Sequence, residues 1–197
     1  MKDKSNIVKF RNSLVLIIIC LIIPGSSIRV GHITLTSCLS KITLKINVPG
    51  NQKIFSDYIS TRPNKVLLNG NSITLQNSNE YTFSSSLNTI ELILDNDLTN
   101  CSKLFSGCSN IIEIDLSLSN GTKIEKFNNM FANCFSLTSI QISNLGTSAA
   151  TDMSYMFCNC SKISSLDLSG FNTYLVTKME YMFSGCESLE YLNISSF

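Results

Sequence analysis

Cys108, Cys134, Cys160 and Cys186 recur at one constant step, and Cys158 adds a second thiol two places before Cys160. Thiols so placed could hold zinc, form a redox pair or line a core. A structural zinc site takes four cysteine or histidine ligands. Cys158-x-Cys160 has no histidine partner, because the sole histidine is His32, so zinc is discounted. Neighbouring rungs of such a column come close, but their side chains point the same way, which suits a disulfide poorly. Beyond the leader discussed below stand seven cysteines, counting Cys38 and Cys101, and an odd number leaves at least one without an intrachain bond. The expectation is a column of buried free thiols. Cys158 is the expected exposed thiol, since its place is held by Ser106, Ala132 and Ser184 in the other copies.

Carboxylates come next. Glu91, Asp115, Gln141, Asp167 and Asn193 share one place between two alternating apolar residues, an exposed strand position. Glu113, Ser139, Ser165 and Tyr191 stand two residues before the last four of them and vary between copies. Such a stripe could hold calcium, but two of its five members are amides and no calcium-loop spacing accompanies them. A solvated or ligand-facing surface is the expectation, with these nine residues as candidate contacts. A serine or cysteine triad lacks its base, because His32 stands near the N-terminus. No phosphate loop or dinucleotide fingerprint appears. No catalysis, cofactor or metal is expected. A carboxylate-based glycoside hydrolase is the remote alternative.

These residues sit in a repeat. Phe105, Phe131, Phe157 and Phe183 keep the cysteine step, as do Leu104, Met130, Met156 and Met182. The apolar triplets Ile111-Ile114-Leu116, Leu137-Ile140-Ile142, Ile163-Leu166-Leu168 and Leu189-Leu192-Ile194 follow in phase, and Leu87-Ile90-Leu92 precedes the first by a slightly shorter step. Met153, Met156, Phe157 and Cys160 fall at i, i+3, i+4 and i+7, the stripe of a short helix. Thr151 would cap it, and Thr177 with Glu180 has capping-box spacing in the next unit. Gly107, Asn133, Asn159 and Gly185 would end each helix in the left-handed conformation. Each triplet then reads as a strand. Stacked units of this kind predict an α/β leucine-rich-repeat-like solenoid over 87–197, with parallel strands on one face and short helices on the other.

The units "MSYMFCNCSKISSLDLSGFNT" and "MEYMFSGCESLEYLNISSF" resemble BspA-like leucine-rich-repeat surface proteins, whose unit is similar to Met-x-x-Met-Phe-x-x-Cys, Leu-x-x-Leu-x-Leu, then Ser-x-Phe-x-Thr. The resemblance covers residues 87–197. It departs at Leu118 in the first unit and at Leu145-Gly146-Thr147 in the second. The resemblance implies export or surface anchoring, a role in adhesion and protein contact, and no catalytic residues.

Residues 28–86 do not repeat. Ile42, Leu44, Ile46 and Val48 alternate with polar residues, as in a half-buried strand ended by Pro49-Gly50. The stretch "VLLNGNSITL" reads as two strands about an Asn-Gly turn. This segment is expected to be a small β-rich N-terminal cap. Residues 1–27 read as a signal peptide. Lys2, Lys4, Lys9 and Arg11 precede the apolar run Leu14 to Ile23, then Pro24, Gly25, Ser26 and Ser27. An uncleaved signal anchor is the alternative, although the run is short for a span of roughly 17–25 residues. Lipidation at Cys20 is discounted, because Ile19 stands where a small residue is needed.

Losing residues 1–27 removes four basic residues and Asp3 from a chain of 15 basic and 14 acidic residues, leaving a net charge of −2. That balance gives no reason to bind nucleic acid or an acidic membrane. Asn120, beside Gly121, is the candidate glycosylation acceptor. Phe197 occupies the column of Phe171, so the array stops without a capping repeat. A longer array, or a partner on the open end, is expected.

The expectation is a secreted or cell-surface repeat protein whose strand face binds an extracellular protein or glycan. The alternatives are an assembly module that stacks through its open C-terminal end, or part of a longer membrane-anchored receptor. Contact with a membrane is expected only through an uncleaved signal anchor or a C-terminal anchor.

Overall fold

Alternating apolar residues build the first strand. Ile42, Leu44 and Ile46 are completely buried on one face of β1 (Ser40–Ile46). The computed structural model describes residues 40–57, 63–74, 79–85, 87–94, 99–116, 124–143 and 145–197, all within one compact unit. The expected signal peptide, His32, Cys38 and the acceptor Asn120 lie outside the described residues. The strands that follow are β2 (Gly50–Lys53), β3 (Lys65–Leu68), β4 (Asn71–Ile73), β5 (Glu80–Phe83), β6 (Asn88–Leu94), β7 (Ile111–Asp115), β8 (Ser139–Gln141), β9 (Ser165–Asp167) and β10 (Tyr191–Asn193).

They form a six-stranded sheet in the order β4-β3-β6-β1-β7-β8 and two two-stranded sheets, β10-β9 and β2-β5. The hairpin of β3 and β4 turns at Asn69-Gly70. Both turn residues have positive φ, as a type I′ hairpin turn demands. Strand β1 lies between β6 and β7 and runs antiparallel to both. Strands β7 and β8 are parallel, as are β9 and β10.

The α/β leucine-rich-repeat-like solenoid is corrected by these observations. Among the described residues there is no helix, and the strands fall into a mixed sheet and two small ones where a single parallel sheet was expected. Where helices were expected, each unit runs through consecutive tight turns. The N–H groups of Leu104, Ser106 and Cys108 donate to carbonyls three residues back, at Cys101, Lys103 and Phe105. The alternate N–H groups leave the unit. Lys103, Phe105 and Gly107 donate to the carbonyls of Asn128, Met130 and Ala132 at 3.0, 2.8 and 2.8 Å. An α-helix would send each N–H four residues back along its own chain.

Two left-handed residues per unit enforce the alternative: Lys103 and Gly107, Asn129 and Asn133, Tyr155 and Asn159, Tyr181 and Gly185 all have φ between 57° and 76°. Asn and Gly tolerate that region, while tyrosine and lysine adopt it at a cost that the inter-unit bonds offset. Gly107, Asn133, Asn159 and Gly185 are left-handed as expected, but they end turns.

The expected apolar stripe survives the change of backbone. Met130, Phe131 and Cys134 are buried, as are Met156, Phe157 and Cys160. Phe105 stacks on Phe131 (centroids 6.0 Å apart), Phe131 on Phe157 (5.3 Å) and Phe157 on Phe183 (6.0 Å). Each such pair adds about 0.5–1.5 kcal/mol beyond the burial of its rings. Successive units are thereby held in phase, and the strands that follow the turns come out side by side.

Candidate ligand-binding cleft

Units that are bonded to one another at their turns part at one pair of strands. Strand β8 pairs with β7 and β9 with β10, but β8 and β9 are not paired. Between them lies a cleft of about 290 Å³. On one side the Ser161 hydroxyl donates to the Phe135 carbonyl at 3.4 Å. On the other, the Asn172 N–H donates to the Thr147 hydroxyl at 2.7 Å. Gly170 comes so close there that a β-carbon on it would stand 2.7 Å from the Ser143 carbonyl oxygen. The units are thus tied at both ends of a gap.

Hydroxyls dominate the lining, from Thr138, Ser139, Ser143, Ser165 and Ser169, with Gln141 and Asp167 completing the polar set and Ile140 and Ile142 the apolar one. Among the described residues Asp167 carries the sole charge in that lining. Its carboxyl is held below the usual carboxylate range, first by the Ser169 hydroxyl and then by the Ser169 N–H, which lies 2.9 Å from Oδ1. Asp167 is therefore a fixed, solvent-facing anion.

Of the expected strand-face residues, the fold brings Ser139, Gln141, Ser165 and Asp167 together at the cleft. Asp115 stands beside Gln141 on β7, and Tyr191 and Asn193 lie on β10 beyond β9. Glu91 does not neighbour Asp115 as the repeat phase suggested. Thr43 of β1 pairs with both, so the row runs Glu91, Thr43, Asp115, Gln141. Glu91 and Glu113 are engaged by Lys41 and Lys45 at 2.5 and 2.6 Å. Ser143, Ser169 and Gly170 were missed as site residues. Their signal was the small-residue bend after each strand, which reads as a plain turn.

The cysteine column forms as expected in its buried part. Cys108, Cys134 and Cys160 are fully buried, Cys186 is half-buried, and all are free thiols. Cys134, Cys160 and Cys186 donate to the carbonyls of Phe105, Phe131 and Phe157 at 3.2, 3.2 and 3.1 Å. Burial pushes Cys101 and Cys108 up to about 12 and raises Cys134, Cys160 and Cys186 as well. Reactive thiols are shifted the other way. Cys158, expected to be exposed, is half-buried. Among the described residues no cluster of His, Cys, Asp or Glu is placed to hold a metal ion, and no helix is long and apolar enough to cross a membrane.

The region that forms the turns, the cleft and the thiol column is also the region that a known family covers. Residues 99–197, half of the chain, match the family described as Mycoplasma protein of unknown function, DUF285. The chain belongs to the DUF285 family. No curated protein and no solved structure matches it. In this DUF285 chain the match contains both walls of the cleft and excludes β1 to β6.

Proposed function

We propose that this chain is a secreted or cell-surface binding protein that holds an extracellular protein or glycan on its strand face and carries out no catalysis. The observation that carries the proposal is the unpaired gap between β8 and β9, a polar cleft on an otherwise bonded array. Exposed, hydroxyl-rich walls with one anion offer hydrogen bonds and a charge, and they lack a nucleophile–base pair. The apolar run Leu14 to Ile23 behind a basic start supports export, and the resemblance of the units to BspA-like surface proteins supports an adhesive role.

The test presents the full chain to immobilised extracellular-matrix proteins and to a glycan array. A variant carrying Asp115→Ala, Asp167→Ala, Tyr191→Ala and Asn193→Ala should lose capture while its circular dichroism and melting stay as in the parent. Undiminished capture by that folded variant would remove the strand face from the reading.

A further inference from the structure

The gap between β8 and β9 has a backbone chemistry of its own. Within a strand the N–H and C=O of one residue point to the same side, and successive residues alternate. The Gln141 carbonyl accepts from Leu116 after β7. Ile140 and Ile142 therefore turn their N–H groups the other way, toward β9. The Ser164 carbonyl accepts from Tyr191, and Leu168 donates to Asn193 of β10. Ser165 and Asp167 therefore turn their N–H and C=O groups toward β8. Among the described residues these facing groups have no backbone partner. An unpaired strand edge is a template for another strand, and here two such edges flank one cleft.

We infer that the cleft takes an extended segment of a partner polypeptide, which hydrogen-bonds to the edges of β8 and β9 and sets a lysine or arginine against Asp167. This rests on the binding function proposed above and names its ligand class. The edges favour a peptide over a sugar because their donors and acceptors repeat along the strand at about 3.3 Å per residue, the step of a polypeptide backbone. Three-residue walls contact a stretch of roughly 10 Å.

The side-chain pattern follows. Ile140 and Leu166 point inward, the second fully buried, while Gln141 and Asp167 point to solvent. A segment lying between them places an apolar residue in line with Ile140 and Leu166 and its neighbour in line with Asp167. Asp167 is the sole charge in the lining among the described residues, so that neighbour is the basic one. The bound motif alternates apolar and basic.

The probe is a library of acetylated hexapeptide amides with lysine or arginine fixed at one place, passed over the immobilised full chain, with maltohexaose run in parallel. Retained peptides should alternate apolar and basic residues. They should slow hydrogen exchange at the amides of Ile140, Ile142, Ser165 and Asp167 at least tenfold, and N-methylation of their alternate amides should abolish the effect. Asp167→Asn should weaken retention at least tenfold. Ser165→Pro should do the same, since it deletes a cleft N–H that β10 does not use, and proline is tolerated at such an edge. If Ser165→Pro does not fold, Asp167→Asn carries the test.

Peptides that bind without slowing the cleft amides would overturn the inference, as would full binding by the N-methylated forms. Protection of those amides by maltohexaose and by no peptide would overturn the peptide assignment and leave the binding function standing. Protection by neither would remove the cleft as the site and, with it, the observation behind that function.

Discussion

Gly185 lies directly over Asn159 of the preceding unit: a β-carbon on it would collide with the Asn159 side-chain oxygen and stand 3.2 Å from its α-carbon. The Asn159 amide in turn donates to the Asn133 side-chain oxygen at 2.8 Å. The column Gly107, Asn133, Asn159, Gly185 is thus a short amide ladder closed by a glycine. Space and backbone conformation act separately in it, and they can be measured separately.

Gly185→Ala should cost about 2 kcal/mol or more, because it joins a collision to the roughly 1–2 kcal/mol of a left-handed L-residue. Gly107 is also left-handed, at φ 76°, yet a β-carbon there meets nothing within 4 Å. Gly107→Asn should therefore be nearly neutral, within about 0.5 kcal/mol, since asparagine tolerates the conformation and can extend the ladder to Asn133. Thermal melts of the two variants decide the point. A Gly185→Ala loss no larger than the roughly 1–2 kcal/mol of the left-handed residue itself would mean that the close approach at Gly185 is relieved by movement of Asn159.

The phenylalanine column should behave as one stack with weaker ends. Phe131 is fully buried between Phe105 and Phe157, so Phe131→Ala should lower stability by about 3–5 kcal/mol. Phe183 is half-buried and stacks on Phe157 alone among the described rings, so Phe183→Ala should cost roughly half as much. Urea unfolding with unchanged m-values measures both. A Phe183 loss as large as that of Phe131 would place further structure against the last unit.

Phase, apolar columns and one left-handed position per unit were legible in the sequence, and the backbone between them was not. An α-helix repeats every 3.6 residues. A run of tight turns that places Phe127 and Phe131, or Met153 and Phe157, four apart buries the same i, i+3, i+4, i+7 set. Hydrophobic spacing cannot separate the two. The second left-handed position in each unit, at Lys103, Asn129, Tyr155 and Tyr181, could have done so in principle, but lysine and tyrosine carry no such signal. The strand character of residues 42–46 was legible. Its insertion between β6 and β7 was not, because Thr43 pairs with Asp115 across the whole of β2 to β6, a long-range contact that no local pattern encodes. The gap at β8 and β9 was hidden for the opposite reason: Leu137-Ile140-Ile142 and Ile163-Leu166-Leu168 have the same spacing as triplets whose strands do pair.

Alkaline pH should unfold the chain through its buried thiols. Cys101 and Cys108 hold their protons up to about 12 in the native state, against an ordinary value of 9.0 that the unfolded chain regains. Above pH 9 the unfolded state binds fewer protons than the native one, so stability is complete below about pH 9 and falls as pH rises toward 12. At about pH 10.5 each of these thiols should cost on the order of 2 kcal/mol. Melts taken between pH 7 and pH 11 should show that decline, and Cys108→Ala should make it shallower by about one thiol. An equal slope in that variant would assign the alkaline loss to other groups.

Asp167 supplies the complementary test at acid pH. The Ser169 hydroxyl and N–H both favour its charged form and hold its carboxyl below the value of 3.8. A group whose native titration is depressed keeps its charge until the pH has fallen below the ordinary carboxylate range. The carboxyl carbon of Asp167, followed by NMR, should therefore titrate below that range. Ser169→Ala removes the hydroxyl and leaves the N–H bond, so the titration should move up part of the way without reaching the ordinary value. Retention of basic peptides should follow the same curve, strong at neutral pH and lost only as Asp167 takes up its proton. If retention were lost well above the pH at which the Asp167 signal moves, another carboxylate would be holding the basic side chain; Asp115, one strand beyond Gln141, is the nearest on that row.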